Sequence, residues 1–298
     1  MDFKIGDSLE ENGSEKQNNR KIPLIIVIVL SIVIGLSVFF ISNLIFGDKK
    51  KDNTPSVSTN IDLEDENVKI LYDYVTYGVR NKRYEKFIKE QSVKLEDFNN
   101  YEKFYYALQF AQAEDFASTG KVNENNQKIY NISTSKIRTY MQRFFGPEVT
   151  YSTNSKITYP FSFRINNLNV GTLTYAVESE GFSTVFTSFE DNIVSNNIIE
   201  PFYTELSKAT KKSDGSIELI EKVLYTELVN KGGNVYDVNI YKDYQHTMLL
   251  ETKTNLTEEQ LKENPIKFED YGEKVTTINY LFKLSSTNYY FYSSTINN

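Results

Sequence analysis

"PFYTELSKATKKSDGSIELIEKVLYTEL" (Pro201–Leu228) is the segment that decides the fold class. It contains two stretches rich in alternating polar and apolar residues, and "KKSDG" joins them. A period of two is typical of β-strands, and Asp-Gly is a common turn pair in hairpins. We therefore predict an antiparallel β-hairpin whose turn lies at Asp214-Gly215.

The same pattern recurs on both sides of this hairpin. "NVGTLTYAVESEGFSTVFTSF" (residues 169–189) predicts two strands around a glycine-containing turn. Val235–Tyr241 and His246–Thr252 predict a strand and its partner. The last hairpin is predicted in "KVTTINYLFKLSSTNYYFYSSTI" (Lys274–Ile296), which is rich in Thr, Tyr and Phe.

Before about residue 148, the apolar residues follow a helical period instead. Predicted helices cover Val68–Val79, Arg83–Gln91, a segment capped by Asn100, and Ser133–Phe145. The last of these begins at Ser133 or Thr134 and ends at Gly146-Pro147, because a glycine followed by proline stops a helix. Thr257 and Gln260 have the spacing of a capping box.

Helices followed by consecutive hairpins indicate an α+β domain with antiparallel strands. We expect the helices to pack on one face of a curved meander sheet. Residues 65–298 form either one domain or two sub-domains, 65–192 and 197–298.

The N-terminal region contains an uncharged run of 26 residues, Ile22–Gly47. As a helix it would be about 39 Å long, which exceeds the roughly 30 Å hydrocarbon core of a bilayer. The run is too long for a signal-peptide apolar region, and no small-residue cleavage pattern follows it. We predict a single transmembrane helix at 22–47, with the lipid bilayer as its partner. A disordered cytoplasmic tail (1–21) precedes it and a stalk (48–64) follows it.

Flanking charge does not decide the orientation of this helix. Lys16, Arg20 and Lys21 on one side are balanced by Lys49–Lys51 on the other. Long domains translocate largely regardless of flanking charge, and the first span usually sets the topology. The expected location is the cell membrane, single-pass, with a cytoplasmic N-terminus and an extracellular C-terminal domain.

The charge balance argues against nucleic acid as a partner. Of 33 Lys/Arg and 40 Asp/Glu residues, seven and six lie in residues 1–51, which leaves 26 and 34 in residues 52–298, a net charge of −8. Phosphate binding needs clustered basic residues, and Arg80–Arg83 is only a short cluster, typical of a solvated helix face. Cysteine is absent, so disulfides, thiolate metal sites and cysteine nucleophiles are excluded.

The sequence carries no motif that assigns catalytic or cofactor chemistry. Phosphate-loop, dinucleotide and serine-elbow motifs are missing, and the single histidine, His246, lies in a segment predicted as a strand. One histidine cannot build a histidine-based metal site. "DLEDE" (62–66) lacks the spacing of a calcium loop. "YYFYSS" (289–294) is an unassigned aromatic stretch, interpreted as half-buried strand rather than as a sugar-stacking surface. The acidic residues noted as unassigned carboxylates are Glu178, Glu180, Glu190, Asp191, Glu218 and Glu221.

The chain resembles a class of uncharacterised single-pass surface proteins of low-GC Gram-positive bacteria. The resemblance is carried by the N-terminal stub and anchor, "FNNYEKFYYALQF" (98–110), "KIRTYMQRFFGPEVTY" (136–151) and "YLFKLSSTNYYFYSS" (280–294). These motifs are structural, so the resemblance implies an extracytoplasmic domain and no activity.

Three functions are compatible with these features. The first is a membrane-anchored, non-catalytic binding or assembly module of the cell envelope, with envelope proteins as possible partners. The second is an envelope hydrolase that acts on glycans or peptides. The third is a membrane-bound sensor or regulator, which the 21-residue inner tail disfavours.

Overall fold

A computed structural model describes residues 58–80, 85–153, 158–165, 168–176, 181–187, 199–263, 266–286 and 288–297. All of them belong to the second of two units into which the chain divides, 55–298. The predicted tail and transmembrane helix lie outside the described residues. Within the described part, no helix is long and apolar enough to cross a membrane.

The fold is α+β, as predicted, and every strand pairing in the described ranges is antiparallel. The helices are α1 (Glu66–Arg80), α2 (Lys86–Lys89), α3 (Asn100–Leu108), α4 (Thr134–Phe145) and α5 (Glu258–Glu263). The strands are β1 (Thr59–Ile61), β2 (Ser92–Lys94), β3 (Ala117–Val122), β4 (Lys128–Ser133), β5 (Thr158–Ile165), β6 (Leu168–Ala176), β7 (Gly181–Thr187), β8 (Phe202–Lys211), β9 (Ile217–Gly232), β10 (Val235–Tyr241), β11 (Leu249–Thr257), β12 (Thr276–Ser285) and β13 (Asn288–Asn297).

The described strands form two sheets rather than one meander. The first sheet has the order β1-β8-β9-β12-β13-β2, and β10 and β11 extend it from the far half of β9. The second has the order β3-β4-β7-β6-β5. The expectation of a single curved meander is therefore wrong: in the described ranges β3 to β7 pair only among themselves, and β8 to β13 form the other sheet. The edge strands of that sheet, β1 and β2, come from the helical half of the sequence.

Helices α1 to α4 pack in the core that the two sheets share, whereas α5 packs in the second core. Helix α4 contacts β13 of the first sheet and β4 and β7 of the second. Buried aromatic side chains fill this layer: the Phe144 ring stacks on that of Tyr106, and Phe104 meets Phe182 of β7 edge to face. One continuous core thus joins both sheets to the helices.

Strand β9 contributes to two cores through its opposite faces. Its alternating residues Ile217, Leu219, Val223 and Tyr225 pack into the core beneath the helices. Leu224 points the other way, into a second core under Leu261, Phe268 and Tyr271. A strand with a period of two can serve both because successive side chains point to opposite faces. The predicted hairpin with a turn at Asp214-Gly215 is confirmed, with Lys211 paired to Ile217.

The helix caps are those predicted from the local sequence, except that the cap of α3 lies one residue earlier. Ser133 caps α4 and accepts a bond from the Lys136 amide (3.3 Å), as predicted. Asn99, not Asn100, caps α3: its Oδ1 accepts from the Glu102 amide, and Glu102 Oε2 accepts from the Asn99 amide. Only Asn99 has an acidic residue three positions later, which is the capping-box spacing. The predicted bonds between Thr257 and Gln260 are also present.

Two further predictions, the end of the stalk and the start of the strand at His246, are wrong by several residues. The predicted stalk reached residue 64, but Thr59–Ile61 already form β1 on the edge of the first sheet. The predicted strand at His246–Thr252 is instead Leu249–Thr257, and His246 lies in a turn with a left-handed φ of 56°. Asp243 organises that turn, and β11 begins after it, at Leu249.

Gly146→Ala is expected to cost about 2–4 kcal/mol of unfolding free energy. Gly146 has a φ of 85°, which L-residues rarely adopt, and a Cβ there would stand 2.7 Å from the Tyr290 ring. Gly215→Ala is the matched control, since Gly215 has the same φ but open space around it. We expect it to cost only about 1–2 kcal/mol. Denaturant unfolding measures both, and equal losses would show that the Tyr290 contact does not matter.

Candidate functional site

The first sheet extends beyond the helices and presents an exposed face there, which we call the outer shelf. It consists of Glu227 on β9, Asn239 and Tyr241 on β10, Thr252 on β11, and the turn from Lys242 to Met248. The helices cover the same face as far as Tyr225, which is buried and donates a hydrogen bond to the Ile88 carbonyl (2.7 Å). The shelf therefore begins where the helical layer ends.

Asp243 holds the turn of the shelf in one conformation. Its carboxylate accepts bonds from the Thr247 amide, the Thr247 hydroxyl (2.9 Å) and the Met248 amide (2.6 Å). Burial alone would raise the pKa of Asp243, but these bonds lower it below its ordinary value. The ionised carboxylate is thus the form that the turn requires. A turn fixed this way presents its exposed side chains with little loss of entropy on binding.

A network of polar side chains crosses the three strands of the shelf. Glu227 Oε2 accepts from Asn239 Nδ2 (3.0 Å) and from the Tyr241 hydroxyl (2.9 Å), and Thr252 donates to Asn239 Oδ1 (2.8 Å). The bonds from Asn239 and Tyr241 lower the pKa of Glu227 below its ordinary value. An exposed carboxylate with a lowered pKa is suited to accepting hydrogen bonds and not to general acid catalysis. The His246 ring stacks on the Tyr241 ring, with centroids 4.4 Å apart.

The turn also carries exposed apolar side chains. Tyr244, Met248 and the first residue of β11, Leu249, are 39%, 40% and 54% exposed. The Tyr244 ring packs edge to face on Tyr225, and Lys89 Nζ lies 5.0 Å from its centroid. An exposed cluster of large apolar residues on a rigid turn is a feature of interaction sites. This arrangement can bind a partner.

Glu221, a carboxylate noted in the sequence, lies in the core and not on the shelf. It is 1% exposed and accepts bonds from the hydroxyls of Tyr72 (2.5 Å) on α1 and Tyr280 (2.6 Å) on β12. Burial raises the pKa of Glu221, although the bonds from Tyr280, Tyr72 and Thr204 oppose the rise. Because solvent and substrate cannot reach it, Glu221 is a tether between a helix and the sheet.

The remaining sequence candidates do not converge on one site. Glu218 bonds to Lys212 (2.8 Å) on the surface. Within "DLEDE", Asp62 and Asp65 accept bonds from backbone amides two residues later, so they shape the start of α1. In the described ranges no group of His, Asp and Glu is placed to hold a metal ion. Glu178, Glu180, Glu190, Asp191 and residues 81–83 lie outside the described residues.

The aromatic stretch at residues 289–294 is half-buried strand, as interpreted from the sequence. Tyr289 and Phe291 face the core, whereas Tyr292 is exposed. Their side chains alternate between faces, so they do not form one stacking surface.

A shallow cleft of about 590 Å³ lies beside the second core. It is lined by Glu205, Ile266, Lys267, Phe268 and Glu269. Lys222 approaches Glu205 to 3.7 Å, and no group of the cleft is buried with an unbalanced charge. We therefore consider the cleft a weaker candidate for a binding site than the outer shelf.

Sequence reasoning missed the shelf. The Asp243–Thr247 spacing is the one local signal, since an Asp side chain can bond to backbone amides a few residues later. Which side chains of the turn are exposed depends on where α2 ends above the sheet, and no local pattern contains that information.

Comparison with known proteins adds no assignment: no family model, curated protein or solved structure matches the chain.

Proposed function

We propose that the protein is a membrane-anchored, extracytoplasmic, non-catalytic binding or assembly module of the cell envelope. Ile22–Gly47 anchors it, and the described domain lies outside the cell and binds an envelope protein through the outer shelf. The observation that carries the proposal is the exposed cluster of Tyr244, Met248 and Leu249 on a turn that Asp243 holds rigid.

The composition of this cluster supports a protein partner. Tyrosine and methionine are enriched at protein interfaces, where an aromatic ring fills a pocket and its hydroxyl bonds at the rim. The ionised Glu227 and the amide of Asn239 lie beside the cluster and supply polar rim contacts. An apolar centre with a polar rim is the usual anatomy of an interface. The alternatives, an envelope hydrolase and a membrane-bound sensor, stay predictions that no feature of the described domain favours.

Photo-crosslinking from position 244 tests this proposal. A photoreactive phenylalanine analogue replaces Tyr244 in the full chain, expressed in intact cells, and the same analogue at Val122 is the control. Val122 is 53% exposed on β3 of the other sheet. We expect a discrete envelope-protein adduct from position 244 and none from position 122.

The role of the rigid turn can be separated from simple proximity. Asp243→Ala removes the acceptor for the Thr247 and Met248 amides, so it should reduce the yield of that adduct at least several-fold without changing the amount of protein. The binding proposal would be refuted if positions 244 and 122 gave the same adducts, or if Asp243→Ala left the yield unchanged.

A further inference from the structure

The N-terminal segment joins the domain at one end of the first sheet. Thr59, at the start of β1, pairs with Lys211, the last residue of β8 before its turn. Between the predicted membrane span, which ends at Gly47, and Thr59 lie residues 48–58. Eleven residues reach at most about 40 Å when fully extended. The bilayer would thus be within that distance of this end of the sheet.

Two hairpin turns meet at this end, which we call the double-turn end. One is the turn after Lys211, and the other joins β12 to β13. The pairing of Phe282 with Ile217 places both turns at the same end of adjacent strands. The Tyr289 hydroxyl links them by donating to the Gly215 carbonyl (3.0 Å). The two turns therefore form one connected surface.

The double-turn end combines basic and exposed apolar side chains. Leu284 and Tyr292 are 46% and 39% exposed, and Lys283 Nζ lies 3.4 Å from the Tyr292 ring centroid. Residues 208–218 and 281–292 contain four lysines and two acidic residues, a net charge of +2, whereas residues 52–298 carry −8. A positive patch on a negative domain attracts negatively charged surfaces.

We infer that the double-turn end docks onto the headgroups of an anionic lipid bilayer. Lys211 and Lys283 lie over the headgroups and attract anionic lipid, and Lys212, which is paired with Glu218 (2.8 Å), lies beside them. Leu284 and Tyr292 enter the interface, where tyrosine is enriched in membrane proteins. This inference rests on the proposed function, because the anchor holds the domain at the membrane.

Docking in this way would leave the outer shelf free for its partner. Ile217 and Glu227 are both on β9, the first at the double-turn end and the second on the shelf. Ten residues of strand separate them by about 33 Å. A domain that rests on its double-turn end would therefore present the shelf away from the lipid.

The absence of tryptophan from the chain gives a clean test. Leu284→Trp places a single reporter at the double-turn end, and Met248→Trp places one on the shelf as the control. The full chain is reconstituted into nanodiscs of phosphatidylglycerol or phosphatidylcholine that contain a spin-labelled quencher lipid. We expect the fluorescence of the Leu284→Trp reporter to be quenched at least two-fold more in phosphatidylglycerol than that of the Met248→Trp reporter. Lys211→Glu, Lys212→Glu and Lys283→Glu together should remove that difference.

Other outcomes separate the inference from the proposed function. A chain that does not enter nanodiscs would overturn both, because the anchor would be missing. A chain that enters them while both reporters are quenched equally would overturn the docking alone. Equal quenching of Leu284→Trp in both lipids would overturn the assignment to anionic headgroups. Tyr292→Trp, an aromatic-for-aromatic change at the same end, keeps the test decisive if Leu284→Trp disturbs its turn.

Discussion

Phe291→Ala is expected to lower the free energy of unfolding by about 4 kcal/mol. Phe291 is fully buried on β13, and its ring contacts those of Phe87, Phe98 and Phe144 at centroid distances of 5.0–5.8 Å. These rings belong to the helical layer, so one deletion opens a cavity where the helices meet the first sheet. Phenylalanine-to-alanine changes in cores cost about 3–5 kcal/mol. Denaturant unfolding, followed by circular dichroism, measures the loss.

Tyr292→Ala is the matched control for this prediction. It is the next residue on β13, but its side chain is 39% exposed and contacts Lys283. We expect it to cost no more than about 1 kcal/mol, from the lost cation–π contact. A loss from Phe291→Ala as small as that from Tyr292→Ala would mean that the aromatic layer does not hold the helices to the sheet.

Glu221→Gln is expected to change how stability depends on pH. Burial raises the pKa of Glu221 in the folded state above its ordinary value of 4.5, so the folded chain binds this proton more tightly than the unfolded chain. The resulting stability is present below about pH 4.5 and is lost as the pH rises through the folded pKa. Over that interval the wild type should lose about 1.4 kcal/mol per pH unit relative to the glutamine variant.

The measurement is a set of denaturant unfolding curves from pH 4.5 to pH 8. Glutamine keeps one oxygen acceptor, replaces the other with an NH2 donor and carries no charge. The pH dependence of the difference between the two proteins therefore reports ionisation, because the change in hydrogen bonding is the same at every pH. Glu218→Gln, three residues earlier on β9, is the control. It removes a surface ion pair with Lys212 and should change stability by less than about 1 kcal/mol throughout. Parallel curves for wild type and Glu221→Gln would exclude an ionisable tether.

The surroundings of Glu221 show how a buried carboxyl group is accommodated in the core. Glu221 alternates with Leu219 and Val223 on the face of β9 that packs beneath the helices. A carboxylate there would be costly if it had no partners. Tyr72 and Tyr280 satisfy it from a helix and from the next strand, so it links α1 to the sheet.

Local sequence predicted helices α1, α3 and α4 and most of the strands after residue 168. It did not predict β1 to β5, and β3 and β4 form a hairpin inside the region predicted as helical. The hairpin at Asp214-Gly215, the strand Val235–Tyr241, the Ser133 cap and the Gly146 helix end are all confirmed. Each depends on a pattern within a few residues: an alternation of two, a turn pair, or a side chain that reaches its own backbone. The α+β class follows from the order of those elements.

The arrangement of the sheets could not be predicted in the same way. The pairing of β1 with β8 joins residues about 150 positions apart, and β2 with β13 about 200 apart. Register between distant strands depends on which faces are buried when the whole core closes. The same holds for His246: the local pattern predicts a strand there, whereas the bonds of Asp243 place His246 in a turn.

The sequence by itself determined helices α1, α3 and α4, most of the hairpins after residue 168, the Ser133 cap and the apolar run that predicts a membrane anchor, because these are local properties of the chain. Only the tertiary structure decided that Glu221 is buried between two tyrosines and that Tyr244, Met248 and Leu249 are exposed. The physical reason is that burial depends on how far the helices extend over the sheet. That extent is set by packing between segments distant in sequence. It decides that Glu221, beneath the helices, is a tether in the core, whereas the outer shelf, beyond them, is an exposed surface.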